Sequence, residues 1–141
     1  MYRFLFLALC IASCATVPKA ARQRLPEWMT GAFTDDYGIR YTISDSLFVM
    51  NGPARYRILE WNEKEQYLLA QNDPANKTDG GLFTRIDYMP FRGMEPYLWG
   101  YCLTVFNAKD LAAARQAAAA DRAAPRKGCN GYPFSRMKRV E

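Results

Sequence analysis

The chain of 141 residues contains no histidine. That single absence removes Ser-His-Asp and Cys-His catalytic arrangements and every His-ligated metal site. No phosphate-cradling P-loop, no dinucleotide-binding glycine fingerprint and no G-x-S-x-G elbow occurs either. A hydrolase working through two carboxylates stays open, with Asp35, Asp36, Glu60 and Asp87 as its only evident candidates, but no spacing among them favours it. The expectation is a protein that is not an enzyme and that carries no cofactor. Long apolar runs are also missing. The longest, Phe4 to Ala12, falls well short of the ~20 residues that a bilayer-spanning helix needs. Cysteine is sparse, at four residues.

What is present begins with that short apolar run. Arg3 precedes it and small residues follow it, which is the layout of a secretory signal. The run closes on Ile11-Ala12-Ser13-Cys14. This stretch resembles the lipobox of bacterial lipoprotein signals, in which an aliphatic residue and two small residues precede the cysteine that becomes the acylated first residue. Cleavage of an ordinary signal peptide nearby is the alternative. The resemblance implies a signal over residues 1–13, lipidation of Cys14, and a tether over residues 14–26 that reaches at most about 40 Å. A single β-rich domain is expected over residues 27–141. Ala15, rather than Asp, follows the cysteine, which by the same resemblance implies the outer membrane of a bacterial envelope, with the domain facing the periplasm. Two or more acyl chains would make that attachment durable.

With Cys14 acylated and Cys10 removed with the signal, Cys102 and Cys129 remain. In an oxidising compartment such a pair is expected to form a disulfide.

Charge is unevenly placed. Residues 122–141 hold six basic side chains, Arg122, Arg126, Lys127, Arg136, Lys138 and Arg139, against the single acid Glu141. The rest of the mature chain is nearly balanced. The segment offers a basic surface (Arg126, Lys127, Arg136, Lys138 and Arg139) to an anionic lipid headgroup or acidic partner, or serves only as a solvated strand. For a chain with an envelope signal, nucleic acid is not the expected partner.

From Trp28 onward apolar residues recur with period two, punctuated by turns. Short strands are predicted at MTGAFT, IRYTIS, LFVMN, ARYRILEW, EQYLLAQ, LFTRIDYM and YLWGYCLTVF, with a closing strand at SRMKRV. Alternation places Tyr56 and Ile58 opposite Leu59 and Trp61. It places Leu82, Thr84, Ile86 and Tyr88 on one face, and Tyr97, Trp99, Tyr101, Leu103 and Val105 on another. Arg85 and Asp87 share the remaining face of their strand, where cross-strand ion pairing on a solvated surface is the expectation and a polar ligand-facing wall the alternative. The alanine-rich stretch from Asn107 to Ala124 is the one predicted helix, capped by Asn107 with Asp110 in capping-box position and stopped by Pro125. The polar stretch from Asn72 to Gly81 is an ordinary loop whose oxygens could also meet calcium.

The fold expected is mainly β, a small antiparallel meander closed as a barrel or curled sheet, with one C-terminal helix and a short closing strand. The opening G-A-F-T-D-D-Y-G-I-R-Y-T-I resembles the first hairpin of lipocalin and avidin-like barrels, with Phe33 where tryptophan is usual. Over YGIRYTIS, ARYRILEWN, QYLLAQND, LFTRIDYM and GCNGYPFSRMKR the chain resembles a family of small bacterial lipoproteins with no assigned activity. Such a barrel implies non-catalytic binding of a small hydrophobic ligand. Tyr56, Trp61, Tyr67, Tyr88, Trp99 and Tyr101 are the candidate lining, and plain core filling is the alternative. Docking through the basic segment is the competing function.

Overall fold

The computed structural model describes residues 23–141. The signal segment, Cys14 and most of the tether lie outside the described residues. Eight antiparallel strands close a barrel in sequence order: β1 (Gly31–Thr34), β2 (Arg40–Ile43), β3 (Leu47–Met50), β4 (Ala54–Asn62), β5 (Tyr67–Asn72), β6 (Phe83–Pro90), β7 (Tyr97–Ala108) and β8 (Ser135–Arg139). β8 pairs with β7 on one side and with β1 on the other, so no sheet edge is left open. Among the described residues a 3-10 turn spans Glu27–Met29, and the α-helix α1 (Leu111–Gln116) packs on the outside of β5, β6 and β7.

Alternation explains most of the interior. In β2, Tyr41 and Ile43 point inward while Arg40 and Thr42 face solvent. Thr84, Ile86 and Tyr88 point inward from β6, and Trp99 and Tyr101 from β7. Chain reversal after β1 is fixed by Asp35, whose Oδ1 accepts from the amides of Tyr37 and Ile39, both at 2.9 Å. Arg139 of β8 packs against the start of β1. Its guanidinium lies 5.0 Å from the centre of the Phe33 ring and donates to the carbonyls of Thr30 and Glu27. Gly31 makes room for it, because a Cβ there would sit 2.6 Å from Arg139 Nη1.

Two strands depart from simple alternation. A β-bulge between Ile58 and Glu60 shifts the register of β4, so that Trp61 turns to the same interior side as Tyr56 and Ile58, while Leu59 is exposed. Irregular pairing at both ends of β7 likewise turns Tyr97 and Val105 outward, away from Trp99 and Tyr101.

The predicted long helix is a single short one. β7 runs on through Asn107, and Asp110 is the cap, accepting from the Ala113 amide at 2.7 Å. Residues 117–134 instead form an irregular strap across the outer wall. A short alanine-rich helix is marginal without packing, and here stronger partners claim the chain. Asp87 accepts from the Ala120 amide, and Arg85 donates to the carbonyls of Arg115 and Ala117. The predicted disulfide is present, joining Cys102 of β7 to Cys129 of the strap. Cys102 and Asp87 are cross-strand partners, so both fastenings grip neighbouring points of the wall.

The solvated ion pair expected at Arg85 and Asp87 is therefore a buried one. Asp87 has no exposure and Arg85 only 5%. Upstream of the expected domain boundary the chain is already attached: the Leu25 amide donates to Asp45 and Gln23 accepts from the Trp61 amide.

Candidate ligand groove

The barrel interior is made of rings in contact. Phe33, Tyr41, Phe48, Tyr56, Trp99 and Tyr101 meet edge-on or tilted, with centroids 5.3–6.2 Å apart. Trp28 extends the cluster to Tyr88, and Trp61 donates from its indole to the Tyr88 hydroxyl at 2.7 Å. Pairs of this kind add about 0.5–1.5 kcal/mol each beyond area burial. Of the six aromatics singled out from the sequence, Tyr56, Trp61, Tyr88, Trp99 and Tyr101 thus come together inside. Tyr67 does not. It lies outside beneath α1, with the Arg85 guanidinium 4.2 Å from its ring centre.

Two of the interior phenols form a donor chain. Tyr101 donates to Tyr41, which donates to buried Asp35 at 2.7 Å. Burial pushes Tyr101 up to about 12, and burial with its hydroxyl and carboxylate neighbours pushes Tyr41 further up. Burial also raises Tyr56 and Tyr88. Such groups stay protonated at physiological pH and are poorly matched to proton transfer there.

The four candidate carboxylates are taken up separately. Asp35 serves the turn and Tyr41, Asp36 pairs with Arg136, Glu60 pairs with Arg115, and Asp87 holds Arg85, Arg122 and Thr104. At the end of β5, Asn72 donates to the Asp79 and Phe106 carbonyls, and in the loop that follows Asn76 exchanges two bonds with the Arg55 backbone. No cluster of three or more acidic or cysteine metal ligands occurs among the described residues.

A small space of about 230 Å³ lies among Tyr56, Asn72, Leu103 and Phe106, and a larger one lies on the outer wall. A groove of about 630 Å³ runs over β6, β7 and β8. Two lining residues, Met89 and Arg136, lie across the strands on either side of Gly100. Gly100 matters because a Cβ there would come within 2.7 Å of the Phe91 ring and 3.4 Å of Phe134 Cβ. Without a side chain, the middle strand lets both rings settle against it. Met94 of the β6–β7 connection, Pro125 and Pro133 of the strap, and Tyr37 of the β1–β2 turn complete an apolar lining. A volume of this size falls within the range of small-molecule sites, about 300–1,000 Å³.

Three charged residues line the groove: Asp36, Arg126 and Arg136. Arg136 donates to Asp36 at 2.8 Å and stacks 4.4 Å over Tyr97. Partial burial opposes the charged form of Asp36, but hydrogen bonds from Arg136 and Tyr97, with the Arg136 charge, outweigh it and hold the carboxyl below its ordinary value. The same bond holds Arg136 above its own. Arg126 is exposed and makes no ion pair with a described residue.

Sequence reading missed this groove because three separated segments build it. One signal was available: Gly100 interrupts the longest strand, a position that often marks close approach of another group. The basic candidates divide. Arg136 and Arg139 are committed to internal partners, as is Arg122, which donates to the carbonyls of Glu65, Gln66 and Tyr88. Arg126, Lys127 and Lys138 form no ion pair with a described residue. No protein-family model, curated protein or solved structure matches this chain.

Proposed function

We propose that the protein is a lipid-anchored bacterial envelope protein whose barrel is a non-catalytic binding domain for a small apolar ligand, held in the outer-wall groove. The observation that carries the ligand site is a contrast. The interior rings are in mutual contact and leave about 230 Å³ beside Tyr56 and Leu103, whereas the groove offers about 630 Å³ lined mainly by methionine, phenylalanine and proline. Methionine is unbranched and polarizable, which suits a wall that must fit a flexible guest. The disulfide is consistent with an oxidising compartment. The lipobox-like Ile11–Cys14 supports the anchor, and Cys14→Ser is expected to move the protein from the membrane to the soluble fraction; retention at the membrane would remove the anchor.

The closed barrel and its core are made by residues 23–141. A chain beginning at residue 15 therefore keeps the fold while lacking the lipid. Calorimetric titration of that oxidised chain with decanol is expected to show one bound molecule. Met94→Glu places a charge on a groove residue that is already 39% exposed, and should abolish the binding without unfolding the barrel. Decanol binding that survives Met94→Glu would refute the groove as the site.

A further inference from the structure

We infer that the groove selects a free single-chain amphiphile with an anionic head, the chain lying on Met89, Phe91 and Phe134 and the head meeting Arg126. This rests on the groove being the ligand site. The argument is one of charge accounting within the lining. Asp36 is the one acid there, and Arg136 engages it at 2.8 Å, with Tyr97 beneath the guanidinium. The pair is neutral as a whole, so the net charge of the lining comes from Arg126. Arg126 is left as the unsatisfied charge on a wall that is otherwise mainly methionine, phenylalanine and proline.

Neighbouring charge leaves the sign to Arg126. Lys127 follows Arg126 and is exposed, and Arg92 is exposed in the β6–β7 connection, against two exposed acids, Glu95 in that connection and Asp121 in the strap. A cationic guest would find no free carboxylate in the lining. A fully apolar guest would gain nothing from Arg126. A guanidinium presents a planar fork that suits both carboxylate and phosphate. The concave shape favours a single dispersed molecule over a bilayer surface, because a bilayer could meet the rim but not fill the floor.

The test compares decanoate, decyl phosphate and decanol by calorimetry on the oxidised chain beginning at residue 15, at neutral pH. Both anions are expected to bind roughly tenfold more tightly than decanol, the scale of one charge-assisted contact. Arg126→Gln should erase that preference, and Met94→Glu should remove all three ligands. Equal affinity for anions and decanol would overturn the anionic head while leaving the groove in place. Loss of anion preference only in Arg136→Gln would overturn the role of Arg126. Ligands that ignore Met94→Glu would overturn the groove itself. Sedimentation with phosphatidylglycerol vesicles separates the remaining source: vesicle binding that requires Arg126, with no binding of dispersed decanoate, would assign the surface to a membrane instead.

Discussion

Asp87→Ala is expected to destabilise the protein by about 3–5 kcal/mol, the cost of removing one partner from a buried ion pair. Asp87 is fully buried and accepts from Arg85, Arg122, the Thr104 hydroxyl and the Ala120 amide. Its removal leaves the Arg85 guanidinium, 5% exposed and pressed on Tyr67, without its counter-ion. Arg122 loses its counter-ion while keeping its carbonyl partners, and the Ala120 amide loses its acceptor, so the strap should loosen. Urea unfolding measures the loss. Arg85→Met combined with Asp87→Ala should cost less than the two single changes summed, because the double variant no longer buries a lone charge. A loss below about 1 kcal/mol for Asp87→Ala, the size typical of a surface pair, would show that the pair does not hold the strap.

The second large effect belongs to the disulfide. Cys102 and Cys129 are 27 residues apart, and removing a link across a loop of that length is expected to cost roughly 3–4 kcal/mol. Cys102→Ser with Cys129→Ser should lower the melting temperature while far-ultraviolet circular dichroism stays β-rich, because the bridge ties β7 to the strap and is not one of the strand pairings that close the barrel. Decanol binding should weaken as well. Pro125, Pro133 and Phe134 form one side of the groove and flank Cys129 in the chain. An unchanged melting temperature would mean that the buried Asp87, Arg85 and Arg122 network fixes the strap without the bridge.

These two fastenings show what could be read from the sequence and what could not. Alternation made β2 and β6 legible, since Tyr41, Ile43, Ile86 and Tyr88 each point where period two places them. The disulfide followed from the two cysteines left once the signal was set aside. Burial of Arg85 and Asp87 was hidden, because R-x-D on one face of a strand looks solvated until a segment some thirty residues later crosses it. The same crossing shortened the helix: local alanine propensity is weak beside a disulfide and a buried carboxylate that claim the chain. Trp61 was assigned to the wrong face because a one-residue bulge at Ile58–Glu60 reverses every later side chain of β4, and propensity does not announce a bulge. Gly100 was the single residue through which the groove could have been suspected.

Five methionines of the chain beginning at residue 15 report on the central claim without any substitution. Met89 and Met94 line the groove, whereas Met29 and Met137 are buried in the barrel and Met50 packs against its core. With isotope-labelled methionine methyl groups, titration with decanoate followed by NMR is expected to shift Met89 and Met94 and leave Met29, Met50 and Met137 in place. Shifts confined to Met29, Met50 and Met137 would put the ligand among the interior rings and contradict the account.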